Sequence, residues 1–400
     1  MGNIQDGEIV FDKLVYSNDL DDNKKLLLQY GDLLFNRTNS AELVGKTAIF
    51  RGQRNAIFAG YLILLRPIFI NSEYLNLLLN TPYARDYCNE VKTIGVQQRN
   101  INAEKISNLL IPVPNLHETV AIVEKVKNIA LPIIKYGEFY QKLKHLNREL
   151  PIIIRKSILQ EAIQGKLVPQ IAEEGTAREL LEQIKTEKEK LVREGKLKKS
   201  ALTDSVIFRG DDNKYFEKIG KTEQDITDEI PFDIPNTWVW VRHNDLFDIS
   251  GGSQPPKSKF IEREKEGYIR LFQIRDYGSN PQPIYIPLST ASKISQKGDI
   301  LLARYGASLG KVFYAEYGAY NVALAKVIPL YESRLIFQKY IFLYYCSSIY
   351  QNEIVNRSRC AQAGFNKEDL NSLLFPLPPL SEQYRIVEKY EKAIASIMSR

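Results

Sequence analysis

The sequence predicts an α+β fold: two duplicated mixed α/β modules, separated by long helices that form an antiparallel coiled coil. Three observations lead there. First, stretches of text recur at a nearly constant offset. Gly31-Asp32-Leu33-Leu34-Phe35-Asn36-Arg37 returns as Gly298-Asp299-Ile300-Leu301-Leu302-Ala303-Arg304, and Asn102–Glu124 returns as Asn366–Glu388 (366 − 102 = 264). Solenoid units recur every few tens of residues, so this spacing marks a duplicated domain. Second, each copy mixes short β-rich runs with a helical stretch. Third, each copy is followed by apolar residues at alternating steps of four and three, the spacing of a coiled-coil seam.

The elements follow in order. Residues 1–115 form the first module, with β-rich runs at Lys46–Phe50 and Ile57–Leu65 and a helix from Ser72 to Val91. Its exit, Leu109-Leu110-Ile111-Pro112-Val113-Pro114, is extended, because the prolines stop a helix. Residues 116–170 are a helical spacer whose seam is Ile122, Val126, Ile129, Ile133, Tyr136, Tyr140 and Leu143. Pro132 and Gly137 predict a kink, Pro151 a second helical piece from Ile152 to Gln164, and Gly165 its cap. Residues 171–235 read as a charged helix, opened by the capping-box spacing Thr176-Ala177-Arg178-Glu179 and running to about Lys199, followed by an extended linker.

Residues 236–380 form the second module. Its strands are expected at Trp238-Val239-Trp240, Tyr268–Arg275, Asp299–Arg304 and Lys311–Tyr314, and its helix from Leu335 to Val355. Residues 381–400 begin a second spacer helix capped by Ser381, and Ile386, Tyr390, Ala393 and Ile397 repeat the first seam 264 positions on. The heptad is therefore duplicated along with the globular part.

Bulk composition excludes more than it selects. Of 400 residues, 44% are hydrophobic and 26% charged, as in ordinary water-soluble domains, and the net charge of +6 permits an anionic partner. No apolar run approaches the length of a membrane span. Three widely spaced cysteines, Cys88, Cys346 and Cys360, argue against a disulfide framework and point to a reducing cytoplasm.

Catalytic and metal signals are poor. Gly306-Ala307-Ser308-Leu309-Gly310-Lys311 has three residues between its glycines where a phosphate loop needs four, and Val312 follows instead of Ser/Thr. In the first copy Ser40 stands where the leading glycine belongs. His117, His145 and His243 are scattered, with no metal-ligand spacing. No Asn/Asp-Pro-Pro-aromatic loop is present to hold a flipped adenine. The sequence therefore predicts no catalytic residue, no metal and no cofactor in this chain.

What remains resembles the specificity subunit of type I restriction–modification systems, in a form that reads as truncated at both ends. The resemblance rests on the helix end Arg155–Pro169 (RKSILQEAIQGKLVP), the Gly298-Asp299-Ile300-Leu301 strand with Gly310-Lys311, the segment Pro378–Val387 (PPLSEQYRIV), and the opening Pro235-Asn236-Thr237-Trp238 with Gly252 and Pro255. It implies that each module reads one half of a bipartite sequence in double-stranded DNA. The helices would then set the distance between half-sites and dock modification subunits. Those partners would carry S-adenosylmethionine and N6-adenine methylation, and a further ATP-dependent subunit would restrict.

Candidate DNA-contacting residues are Arg37, Lys46, Gln97, Gln98, Arg99 and Asn100 in the first module. In the second they are Ser253, Gln254, Lys257, Lys259, Arg304, Tyr305, Lys311 and Gln362. These side chains can hold phosphates or reach base edges. The internal comparison also predicts what is absent: the first module is without an opening strand equivalent to Trp238–Trp240, and the second spacer helix stops short. A different role fits the same text, that of a truncated paralogue occupying modification subunits without reading DNA.

Overall fold

A computed structural model describes residues 2–12, 14–94, 98–202, 205–332, 334–358 and 364–398. The chain forms two compact units, residues 1–144 and 145–400, with the boundary inside one long helix.

The first unit runs β1 (Ile4–Gln5), β2 (Glu8–Ile9), α1 (Leu20–Lys25), β3 (Leu33–Asn36), β4 (Thr38–Asn39), β5 (Thr47–Ile49), β6 (Leu62–Leu65), α2 (Ser72–Leu79), α3 (Pro82–Val91), β7 (Thr93–Ile94), β8 (Arg99–Asn100) and α4 (Ala103–Ser107). One sheet has the order β1-β2-β5-β3-β6, and a small second sheet the order β4-β8-β7. The uninterrupted apolar run of β3 follows from burial on both faces. Leu33 and Phe35 pack with Leu79, Ala84 and Cys88 from the helices, while Leu34 packs with Ile4, Leu28 and Phe50.

The predicted single helix from Ser72 to Val91 is two. Thr81 caps the second through the Ala84 amide and Pro82 occupies its first turn, where a missing N–H costs nothing.

Helix α5 (Leu116–Ile163) is continuous for 48 residues. Pro151 does not begin a separate helix, and neither Pro132 nor Gly137 ends one. Both prolines lie where the helix is exposed, so water can pair with the carbonyls their missing N–H groups release. The helix ends as expected at Gly165, with the Lys166 amide donating to Glu161 O at 2.9 Å.

Helix α6 (Ala177–Arg193) has the predicted Thr176/Glu179 capping box. It stops at Arg193, short of Lys199, in a turn where the Lys196 amide donates to Leu191 O at 2.9 Å. The expected extended linker instead contains an antiparallel meander: β9 (Ser205–Arg209), β10 (Tyr215–Ile219) and β11 (Thr222–Asp225). Its alternation was hidden by charge. Ile207 and Tyr215, with Ile226 just after β11, are its buried apolar residues, and they pack on Trp240 and Leu374 of the following module.

The second module continues with β12 (Val239–Arg242), α7 (His243–Leu246), β13 (Phe247–Gly251), β14 (Tyr268–Phe272), β15 (Tyr285–Pro287), β16 (Ile294–Ser295), β17 (Ile300–Ala303), β18 (Val312–Tyr314), β19 (Gly318–Tyr320), β20 (Leu324–Pro329), α8 (Gln338–Cys346), α9 (Ser348–Ser358), α10 (Glu368–Asn371), β21 (Leu374–Leu377) and α11 (Leu380–Met398). The sheets are β13-β20-β17-β18, β15-β14-β19-β16 and the pair β12-β21. Here too the expected helix is split in two, at Ser347. Helix α11 begins at Leu380, so Ser381 lies inside its first turn and does not cap it.

The core is aromatic: Trp238, Phe247, Tyr340, Tyr344, Tyr345 and Phe375 make mostly edge-on and tilted contacts. Helix α6 is tied to it by the buried Lys188 ammonium, which donates to Asp245 O at 2.9 Å. Burial lowers the pKa of that amine.

The two seam copies have different fates. In α11, Ile386 (0% exposed) and Tyr390 belong to the core of the second module and Ala393 and Ile397 are half-buried. In α5, Ile122 is half-buried and Val126 and Ile129 are exposed, as are Ile133 (62%), Tyr136 (70%), Tyr140 and Leu143. The expected coiled-coil burial is therefore not made along the α5 seam. Heptad spacing specifies a stripe, and only a partner in register buries it. Among the described residues, no helix is long and apolar enough to cross a membrane.

Candidate nucleic-acid interface

The duplicated text folds into the same turn twice. Gly31 and Gly298 have φ of +88° and +91°, which a residue with a Cβ adopts only under strain. Each is followed by an aspartate whose carboxylate accepts from the backbone three residues earlier: Asp32 from the Gln29 amide at 2.7 Å, Asp299 from the Gln296 amide at 2.8 Å. The glycine amides donate to Phe50 O (2.9 Å) and Ala315 O (2.8 Å). The central strand, β3 or β17, is thereby launched in the same register against β5 or β18.

At the far end of that strand the chain turns through the candidate residues. Asn36 and Ala303 amides both donate to the lysine carbonyl, Lys46 O or Lys311 O, at 2.8 Å. Residues 304–310 close as a tight loop, and a strand follows Lys311. A phosphate loop presents the N-terminus of a helix to its ligand, so the Gly-Lys text here builds a hairpin turn.

In the second module the structure gathers Arg304, Tyr305 and the loop after β13. The Arg304 guanidinium donates to Phe365 O at 3.3 Å, lies 5.1 Å from the centre of the Tyr305 ring, and occupies the space where a Cβ on Gly251 would stand. Gly252 is required for close approach, since a Cβ there would lie 2.0 Å from Asn321 O. Ser253 bridges to Asn321, and its buried hydroxyl has no hydrogen-bond partner among the described residues. Gln254, Lys257 and Lys259 follow, all exposed, and Lys311 is exposed at the base of the hairpin. Sequence reasoning missed Asn321 and Lys293. The Lys293 ammonium donates to Ser250 Oγ at 3.0 Å, beside the same loop. No motif marks either residue, because strand pairing brings them there.

In the first module the β4-β8-β7 sheet joins Arg37, Arg99 and Asn100. Asn100 Nδ2 donates to Thr38 Oγ1 at 2.7 Å, and the Ile101 amide donates to Arg37 O at 2.9 Å. Lys46 is half-buried and Gln98 exposed. Gln97 and Gln362 lie outside the described residues.

The groups with strongly shifted pKa lie elsewhere. Complete burial brings His243 down to about 3, leaving it neutral, with Nε2 2.7 Å from the Tyr345 hydroxyl. Burial pushes the Cys346 thiol up to about 11 and raises Cys88 as well, which keeps both thiols protonated and unreactive. These are packing residues.

The two copies of one turn, each displaying a basic and polar loop, match a single family model at residues 4–138 and 235–399, that of the type I restriction modification DNA specificity domain. The chain belongs to this family. It is 26% identical to the putative type I restriction enzyme MjaX specificity subunit of Methanocaldococcus jannaschii, covering 99% of this chain and 79% of that protein. It is 23% identical to the type I restriction enzyme EcoAI specificity subunit of Escherichia coli, covering 91% and 67%. Among solved structures, the HsdS subunit from Thermoanaerobacter tengcongensis aligns with a TM-score of 0.51 at 19% identity, over 93% of this chain and 76% of that one. That likeness is one of fold. As a specificity-domain protein the chain carries the family's repeat twice, and each matched segment runs beyond the globular part into the helix that follows it.

Proposed function

We propose that this chain is the DNA-specificity subunit of a type I restriction–modification complex, with each module reading one half of a bipartite target. The observation that supports it is the family match over both modules, each presenting an arginine-bearing loop from the same turn. The chain itself is read as non-catalytic and cytoplasmic. Modification subunits would supply S-adenosylmethionine and N6-adenine methyl transfer, and an ATP-dependent restriction subunit would cleave.

Arg37, Arg99 and Asn100 are assigned to one half-site, and Arg304, Tyr305, Ser253 and Gln254 to the other. Lys46, Lys257, Lys259 and Lys311 are assigned to phosphates. Arginine pairs two acceptors on guanine, asparagine and glutamine pair with adenine, and lysine–phosphate contacts make affinity fall steeply with salt.

The test is a map of N6-methyladenine in the host genome with and without this gene. Loss of one bipartite motif is the expected result. An unchanged methylation map in a strain whose modification subunit is expressed overturns the reading.

A further inference from the structure

A groove of about 370 Å3 is enclosed by the C-terminal part of α5, by α8, by α11 and by β18. None of the described DNA-contacting candidates lines it. Its floor is apolar: Leu343 from α8 and Val387 from α11 are buried, and Ile394 is half-buried. One wall is the Phe342 ring with the Tyr314 ring stacked on it, the centroids 4.1 Å apart and the planes within 10° of parallel. Small-molecule sites occupy roughly 300–1,000 Å3, and this space lies at the lower end of that range.

The charges at the groove do not cancel. Lys339 and Glu391 pair with each other at 2.7 Å, one from each helix. Arg155 is left over. It is exposed, its Nε donates to the Tyr390 hydroxyl at 3.3 Å, and no carboxylate pairs with its guanidinium among the described residues. A guanidinium carries five N–H donors in a planar fork, so the Nη groups remain for an acceptor with two oxygens in one plane. The Tyr390 oxygen accepts from Nε and keeps its own O–H to donate. Neither Cys346 nor Tyr314 adds a negative charge: burial pushes the thiol up to about 11 and the phenol up to about 12. One unbalanced cation therefore stands at the rim of an apolar slot.

We propose that this groove binds a small amphipathic carboxylate, of which a medium-chain fatty acid is the simplest example. The carboxylate sits on the Arg155 Nη groups beside the Tyr390 hydroxyl. The apolar chain lies against Phe342, Leu343, Val387 and Ile394. Two parallel N–H groups facing two oxygens fix the orientation of the head group, and burial of the chain supplies most of the affinity. The inference does not rest on DNA reading by either module.

The probe is octanoate, titrated into the full chain beside octanamide and hexanoate and followed by calorimetry and methyl NMR. Expected is saturable binding of octanoate with half-saturation below about 1 mM, with shifts at the Leu343, Val387 and Ile394 methyls. Octanamide should bind roughly tenfold more weakly, because it lacks the charge that Arg155 pairs with. Hexanoate should also lose roughly tenfold, for two methylenes fewer to bury. Arg155→Met keeps an apolar stem, and should bring octanoate down to the level of octanamide while leaving octanamide unchanged. Ala395→Trp, at an exposed position lining the groove, should fill the space and abolish binding of both. Circular dichroism spectra matching the unaltered chain check that the variants fold. If either does not, the acid–amide comparison in the unaltered chain still decides. Absence of saturable binding overturns the proposal, as do equal affinities for octanoate and octanamide. So do methyl shifts confined to other parts of the chain, or an unchanged octanoate affinity in folded Arg155→Met.

Discussion

Residues 110–118 and 374–382 are copies of one text in two environments. In the second module that text is buried under β12 and the meander. In the first, Leu110, Val113 and Leu116 face water. The inner hydrogen bond to the preceding tyrosine is the same in both, Tyr74 to Pro112 O at 3.0 Å and Tyr340 to Pro376 O at 2.9 Å, so the segment takes its course without the added strand. What the strand contributes is burial: an aromatic lid over the outer face and a pairing partner for the backbone groups. Local chain geometry and long-range cover are thus separable, and the molecule shows each state once.

The largest effect should come from removing the lid where it exists. Trp238→Ala deletes a buried ring that also donates to Glu382, and should destabilise the second module by about 3–5 kcal/mol. Hydrogen exchange resolved by residue is the readout: protection should fall in β12, β21 and α8 and stay unchanged in β3 and β5. A uniform loss across both units would break the comparison.

The duplicated seam offers the next test. Ile386→Ala should cost about 2–5 kcal/mol, because its side chain is wholly enclosed. Tyr136→Ala, on the exposed copy in α5, should stay within about 0.5 kcal/mol in the isolated chain. Chemical unfolding of the two variants measures both. A large loss from Tyr136→Ala alone would show that the α5 stripe is covered in solution.

At the loops, Arg304→Ala and Arg99→Ala should each relax one half of the DNA target only. Discrimination at a base contacted by a bidentate arginine should fall by about 1–3 kcal/mol, and the other half-site should be read as before. Competition binding of the assembled complex to half-site variants separates the two. A uniform weakening over all sequences would reassign the residue to phosphate.

The smallest effect is a pH dependence confined to the second module. Arg242 donates to Glu217 at 2.6 Å and to Glu229 at 2.7 Å, and its hydrogen bonds hold the Glu217 carboxyl below its usual range. In acid the unfolded chain takes up that proton first. The contribution to stability is therefore present above the ordinary glutamate pKa and lost as pH falls through the lowered one. Glu217→Gln should flatten the acid slope of unfolding for β9–β12 and leave the first unit's slope unchanged, as followed by hydrogen exchange between about pH 3 and 6.

Several elements were legible from residues alone. The Gly-Asp turns, the Thr176/Glu179 box and the Gly165 helix end are set by interactions within a few residues. The meander at 205–225 was not, because its strands are short and carry few apolar residues at buried positions, Ile207 and Tyr215, beside the buried, ion-paired Glu217. Of the candidate loop residues, the text suggested types and places. The neighbourhood of Arg304, Gly251 and Ser253 depends on β17 and β13 both pairing with β20.

By itself the sequence determined the duplication and the family from its repeated text, and the Gly-Asp turns and the Thr176 cap, since short-range sterics and hydrogen bonding suffice for these. Tertiary structure alone decided which copy is covered. An exit segment and a heptad stripe were each written twice in nearly the same residues. Burial of either requires a partner distant in the chain, and periodicity carries no record of whether that partner arrives.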